Sequence, residues 1–485
     1  MDNGESDVEL THNQQQHQQS QIQSQQQQNI LLPKQQQVTV PLHQQPQQLP
    51  PQQQHLQSIQ SLKPINAIPH IQKLPIFHPS AQFNPISNNS PRLDFLKLSY
   101  EDFFINNKEK YSKSFIHRFN LKEFFKIEPI INVEPKLSKQ FLDIYFTLLQ
   151  YKFPLLNEAD VLKYHVDYFS NNDYWNSDSD FNEDDFHFNC ARMFLIFSIS
   201  ALLHKTTGKY RGPLPAKFFS TAIRHIVLLN NISDLQKIEL LILLVFYLMR
   251  SDKDSTGLFE VISDAMKICV SLKLHKKSSY ENIENSLKDR RMRCFWCCYL
   301  LEKCIAIAVS KPFVLLESKV DDDLPLFDYE PSKAIHPANG TTFINQSIKI
   351  RRIEARFIEQ LSILSSASIV TKNRLPLVEK FFHELEDWRK ECGGFNKGIE
   401  NETLSVYYYR SVRNLIQPFL ELLDPEDKLF KECQASAGQI CQSIKAFHQK
   451  TVSGHSTIHI HTTFIAGAMI QNIQDQQSLK LYSLV

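Results

Sequence analysis

The chain has 485 residues, with 53 lysines and arginines against 52 aspartates and glutamates, for a formal net charge of +1. That balance gives no global pull toward nucleic acid or an anionic membrane, so any such binding has to come from a local patch. Hydrophobic residues make up 42% of the chain, enough for a large core, while a total of 11 glycines argues against folds built on tight turns or phosphate-cradling loops.

Residues 1–90 are low in complexity, and the first 60 are dominated by glutamine runs such as QSQQQQ and QQPQQLPPQQQ. Apolar residues there are too sparse to offset the entropy of ordering the chain, so a disordered polyglutamine-rich arm is expected. The opening MDNGESDVEL is acidic and has no apolar segment of a secretory signal. Residues 91–136 read as a linker or pre-domain segment.

From Leu137 the pattern becomes helical. LSKQFLDIYFTLLQYKFPLL (137–156) is strongly amphipathic, with Pro154 as its expected end. FHFNCARMFLIFSISALLHK (186–205) is apolar nearly all round and should be a buried helix. PAKFFSTAIRHIVLLN (215–230) starts with proline in its first turn, and SDLQKIELLILLVFYLMR (233–250) opens with Ser233 and Gln236 at capping-box spacing. Its apolar run at 238–249 is too short to cross a bilayer and carries Glu239. Helical spacing recurs at 258–275, 343–364, 406–423 and 428–448, with no convincing period-2 strands. The expectation is an all-α class: one large irregular multi-helix domain over 137–475, preceded by the disordered arm. The acidic segment 176–186 and the proline-punctuated 317–340 are expected to be loops.

Residues 288–304, KDRRMRCFWCCYLLEKC, hold four of the nine cysteines behind three arginines. Zinc is the first chemistry to test. No glycine or proline falls between Lys288 and Lys311, so the segment is expected to be continuous helix. Cys294, Cys297 and Cys298 then share a face, but Cys304 lies about 10 Å along the axis from Cys297 and cannot join the same ion. The cysteines read instead as small apolar residues of a core helix, beside Phe295, Trp296, Tyr299 and Leu301. The basic residues, with Glu302 and Lys303, group mainly toward the ends of that apolar face. An odd cysteine number and burial in apolar runs fit free thiols in a reducing compartment, hence a soluble intracellular protein.

Enzymatic chemistries find little support. There is no GxxxxGK[ST], GxGxxG or GxSxG pattern. DDDLP (321–325) and NEDDF lack a second acidic partner at helical spacing for magnesium. His455, His459 and His461 have no flanking carboxylate and diverge on a helix. The basic stretches 288–293 and 349–357 are interrupted by apolar residues and read as helix faces.

The stretch DRRMRCFWCCYLLEKCIAIAVSKPF resembles the central motif of the fungal transcription-factor middle-homology domain, the xylanolytic-activator-type regulatory domain of zinc-binuclear-cluster regulators. Arg290, Arg291, Phe295, Trp296, Tyr299 and Pro312 match that signature. Glu302-Lys303 stands where Asp-Arg is usual, and Ser310-Lys311-Pro312 replaces Gly-Arg-Pro. DDDLP matches the acidic segment that follows, and further similarity runs over roughly 137–470. The resemblance implies a nuclear regulator of RNA polymerase II transcription, not an enzyme, with transcription machinery or co-regulators as partners. It also implies a small-molecule effector and homo- or heterodimers, with no membrane role. The family's six-cysteine zinc cluster has no counterpart here, since no cysteine precedes Cys190. No cofactor is therefore expected in this chain, and DNA contact is expected only through a module outside it. The alternatives are a co-regulator or dimerisation partner that never touches DNA and, third, an all-α enzyme.

Overall fold

A computed structural model describes residues 91–170, 182–205, 210–251, 257–328, 341–365, 370–393, 399–450 and 456–482. The glutamine-rich arm, most of the acidic 176–186 segment and residues 329–340 lie outside the described residues. A 3-10 turn at Pro91–Lys97 leads into α1 (Tyr100–Lys113) and the one-turn α2 (Lys122–Phe125). Then come α3 (Pro135–Leu148), α4 (Glu158–Ser170), α5 (Glu183–Lys205), α6 (Pro215–Leu228), α7 (Asp234–Leu248), α8 (Leu258–Ser271) and α9 (Asn285–Ala308). The C-terminal part holds α10 (Thr341–Gln360), α11 (Leu375–Glu391), α12 (Ile399–Ile416), α13 (Lys428–Lys450) and α14 (Thr457–Tyr482). There is no strand among the described residues, and the fold class is all-α.

Local chemistry sets many of the helix ends. Ser233 and Gln236 form the full capping box at the start of α7, each side chain accepting from the other residue's backbone N–H. Pro215 opens α6 and Pro135 opens α3. Asn182 caps α5 by accepting from the N–H groups of Asp184 (3.0 Å) and Asp185 (3.2 Å). Two expected ends fall elsewhere. α3 stops at Leu148, ahead of Pro154, because Gln150 N–H also reaches back to the Tyr145 carbonyl and the Gln150 side chain donates to Leu156 O (2.6 Å), fixing a turn. α12 gives way at Gln417 to a 3-10 turn over Gln417–Leu422, since Pro418 has no N–H to continue an α-helix.

Three helices end with a residue in the left-handed region where glycine is usual: Lys273 (φ 55°), Ser310 (φ 52°) and Ser362 (φ 55°). At Ser310 the geometry is a Schellman motif. Lys311 N–H reaches Ala306 O (2.9 Å) and Ser310 N–H reaches Ile307 O (3.3 Å). In a glycine-poor chain these ends accept the steric cost of a Cβ.

Packing yields two apolar clusters. The first is built on α5, which packs against α3, α6 and α7, and extends through α8 and α9. By length and composition α5 could cross a bilayer, but 89% of its most apolar stretch is buried inside the protein. The second cluster lies among α10, α11, α12, α13 and α14. The segment 91–136, read from sequence as a linker or pre-domain segment, contributes to the first cluster: Phe103, Tyr111, Phe124 and Phe125 are buried in it. They are held to α6 by polar staples. Arg224 donates to Leu98 O (2.9 Å) and Phe125 O (3.3 Å) with its guanidinium over Phe103, Ser220 donates to Ile127 O (2.7 Å), and Thr221 exchanges bonds with Ile130.

Candidate functional site

The signature residues Arg290, Arg291, Phe295, Trp296 and Tyr299 lie on α9, and the polar ones fasten that helix to other elements. Arg290 Nε donates to Glu239 on α7 (2.6 Å). Arg291 donates to Ser279 O (2.6 Å) in the turn after α8, and Arg293 donates to the carbonyls of Pro154 (3.1 Å) and Leu156 (3.3 Å). One turn further on, Phe295, Trp296 and Tyr299 are buried, with Trp296 edge-on to Tyr299 at 5.5 Å. Trp296 Nε1 donates to Pro325 O (2.8 Å), so the indole holds the chain after the acidic segment. Pro312 sits apart from this group, exposed in the loop that leaves α9.

The cysteines of α9 do not converge. Cys294, Cys297 and Cys298 are buried in the first cluster, where desolvation pushes their thiols above the ordinary range. Cys304 lies farther along and accepts from Arg410 Nη1 (3.2 Å). Burial pushes its thiol up, but the guanidinium groups of Arg410 and Arg351 outweigh that and hold it below the ordinary range. Among the described residues no cluster of three or more His, Cys, Asp or Glu is placed to hold a metal ion. Of the three C-terminal histidines, His455 lies outside the described residues and His461 faces the second of the cavities below.

Glu302 and Lys303 depart from the sequence reading. They were expected toward the polar ends of the α9 face, yet both side chains are 0% exposed. They pair with each other at 3.2 Å and grip the outgoing loop. Val314 N–H donates to Glu302 Oε1 (2.8 Å), and Lys303 donates to Leu315 O while lying 4.0 Å over the Phe313 ring. Burial raises the Glu302 carboxyl, an effect that Lys303 only partly offsets.

The acidic segment completes the clamp. Asp321 accepts from Lys276 Nζ (2.8 Å) and Lys277 N (2.9 Å), Asp323 from Lys277 Nζ (2.5 Å), and Asp322 from Arg352 Nη2 (3.1 Å). Each carboxylate of DDDLP is thus committed to a basic partner, which ties the loop to the end of α8 and to α10.

Behind this clamp a charged seam separates the two apolar clusters. Glu317, Arg351, Glu354, Arg410 and Arg413 are all buried there. Arg351 pairs with Glu354, Arg410 Nη2 stands 3.7 Å from the same carboxylate, and Asn414 donates to its other oxygen (2.9 Å). The stretch 349–357, read as a basic helix face, therefore turns Arg351 and Glu354 inward. Sequence reasoning missed this seam; the Arg-x-x-Arg spacing at 410 and 413 within an otherwise apolar helix was its one visible sign.

Two cavities flank α9. One of about 580 Å³ lies at its N-terminal end, where Arg192, Arg290 and Arg293 face Asp160, Asp167, Asp185, Glu239 and Asp289. The other, about 360 Å³, lies at its C-terminal end beside Arg410 and Arg413.

Comparison with known proteins places these features in a family. The Fungal specific transcription factor domain matches residues 142–390. An uncharacterized transcriptional regulatory protein of Saccharomyces cerevisiae is 44% identical over 437 residues, 83% of this chain and 32% of that protein. Pyrimidine pathway regulatory protein 1 of the same yeast is 25% identical over 255 residues, 47% of this chain and 27% of that protein. An uncharacterized transcriptional regulatory protein of Schizosaccharomyces pombe is 26% identical over 167 residues, 34% of this chain and 18% of its own length. The chain thus spans about a third or less of these relatives. No solved structure matches. With the matched region running from α3 through α11 and enclosing the whole α9 clamp, the chain belongs to the fungal-specific transcription factor domain family.

Proposed function

We propose that this protein regulates RNA polymerase II transcription in the nucleus, and that the helical domain is its regulatory part rather than its DNA reader. The observation that carries this reading is the fate of the basic motif. Arg290, Arg291 and Arg293 are spent on Glu239 and on backbone carbonyls inside the fold, so KDRRMR presents no phosphate-binding stripe. DNA contact then belongs to a separate module, such as the zinc cluster of the wider family. No enzymatic role is proposed; the family and the names of the relatives point to regulation.

A second reading, that of a co-regulator or dimerisation partner, is favoured by α14. Ile460 and Phe464, one turn apart, are 61% and 70% exposed, an apolar pair suited to a protein partner. The test is to fuse the chain to an unrelated DNA-binding domain and follow a reporter carrying that domain's site. The expected result is a change in transcription that disappears with Trp296→Ala. The purified chain, titrated with duplex DNA at several salt concentrations, should show no sequence-selective binding; tight selective binding would overturn the assignment of DNA contact to another module.

A further inference from the structure

Each carboxylate of the clamp around α9 has a basic partner, but the arginines of the seam outnumber their carboxylates. Arg351, Arg410 and Arg413 are each more than nine-tenths buried, and the one carboxylate paired with any of them, Glu354, meets Arg351 and Arg410. Arg413 forms no ion pair among the described residues. Its terminal nitrogens donate to the amide oxygens of Gln417 (3.0 Å) and Asn414. Nε of all three arginines and Nη2 of Arg410 are buried without a hydrogen-bond acceptor. Burial pushes the Arg351 and Arg413 guanidinium groups down to about 10, with Arg410 adding repulsion in both cases. A thiolate at Cys304 could balance Arg410, but it would still leave Arg413 uncompensated.

Arg410 and Arg413 line the 360 Å³ cavity, whose walls come from α9, α10, α12 and α14 and the turns that follow the first three. That volume falls in the range of about 300–1,000 Å³ typical of small-molecule sites. No aspartate or glutamate lines it, and its other walls are largely apolar, including Ile307, Ile358, Ile363 and Ile465. The 580 Å³ cavity is the contrast, because its arginines meet five carboxylates. Buried cations beside a largely apolar cavity, with more guanidinium groups than carboxylates around them, match the features of an anion site, which needs charge-assisted, directional donors.

We propose that this cavity binds a small anion, a carboxylate or phosphate monoester on a compact apolar body, with Arg410 and Arg413 as its counter-charges. The site would supply the effector that the regulatory reading calls for, although the binding itself does not depend on that reading. An occupant would bridge α12 and α14 to the C-terminal end of the signature helix, where Cys304 and Ser310 also line the cavity.

The test uses the full chain and thermal unfolding at constant ionic strength. Benzoate, phenyl phosphate and inorganic phosphate are the probes, each at about 10 mM, with benzamide as the neutral isostere of benzoate. Benzoate or phenyl phosphate should raise the melting temperature and slow alkylation of Cys304, and benzamide should do neither. Comparing benzoate with phenyl phosphate assigns the headgroup. Arg413→Gln should weaken the response roughly tenfold or more and should itself melt no lower than the parent, because it removes an uncompensated buried charge. Thr462→Glu, which places a carboxylate on the cavity wall, should raise the melting temperature and abolish the anion response. The proposal is overturned if no probe anion stabilises the parent, if benzamide acts as well as benzoate, or if Arg413→Gln keeps the full response. A silent reporter fusion together with intact anion binding would count against the transcriptional reading alone.

Discussion

Tyr299 on α9 donates its hydroxyl to one oxygen of Glu317 at 2.5 Å, while Arg352 on α10 donates to the other oxygen of the same carboxylate at 2.5 Å. One buried acid therefore joins the signature helix, the outgoing loop and the first helix of the C-terminal part. Tyr299→Phe removes one of these bonds and leaves the ion pair; it should cost about 1–2 kcal/mol in urea unfolding. Glu317→Ala removes both bonds and should cost about 3 kcal/mol or more. Equal effects of the two changes would show that the carboxylate does not bridge.

Ser310 closes α9 in the left-handed region, where a residue without a Cβ is least strained. Ser310→Gly should therefore stabilise the protein, by about 0.5–1 kcal/mol, since relief of Cβ strain exceeds the added entropy of the unfolded chain. Ser310→Val, β-branched at the same φ, should destabilise it. A fall in the urea midpoint for the glycine variant would contradict this account.

Trp296 combines full burial with a directed bond to Pro325 O. Trp296→Ala should cost about 3–5 kcal/mol, whereas Trp296→Phe should keep most of the packing and lose chiefly the bond that orders residues 321–327. Timed alkylation of the native chain should label Cys304 well before Cys294, Cys297 or Cys298, because it alone of the four is partly exposed and held below the ordinary thiol range.

Arg224 holds the N-terminal segment by two carbonyls and one ring. Arg224→Met keeps the volume and removes the bonds. Limited proteolysis of that variant should cut within 91–130 at least several times faster than in the parent, with the rest of the domain surviving longer.

Acid should weaken the fold in a defined window. Burial pushes His165 and His187 down to about 4, and holds His225, which shares a 2.9 Å contact with His187, well below its ordinary value. The ordinary value is near 6.5, so between pH 6.5 and 4 the unfolded chain binds more protons than the folded one. Stability is then fully present above 6.5 and falls as pH drops, by about 2 kcal/mol at pH 5 for His165. Glu302 and Glu317, raised by burial, act in the opposite direction. Urea midpoints from pH 7.5 to 5 should fall, and His165→Gln should make the slope shallower.

What could be read in the sequence follows from where apolar side chains carry the signal. α5 through α8 have long apolar runs, α6 opens on a proline and α7 on a capping box, and the positions of α5 through α9 are legible to within a few residues. α11 went unmarked because its buried stripe, Val378, Phe381, Phe382, Leu385 and Trp388, is diluted by charged neighbours. α1 and α2 read as linker because the groups that hold them, Ser220, Thr221 and Arg224, lie about 100 residues away and look like ordinary polar residues. The seam was hidden for a related reason. Arg351, Glu354, Arg410 and Arg413 are charges, and a charge on a helix reads as solvent-facing until the helices packed over it are known.

α10 gives the two apolar clusters a common fate. Adjacent residues on it point to different sides: Ile344 and Ile348 belong to the first cluster, and Phe343, Ile350 and Phe357 to the second. α14 repeats the arrangement, with Ile458 in the first and Met469 in the second. Neither cluster can melt without stripping part of the other, so heat should unfold both in one cooperative transition. A chain cut after residue 328 would lose Ile344, Ile348 and Ile458 from a core whose other buried residues it keeps.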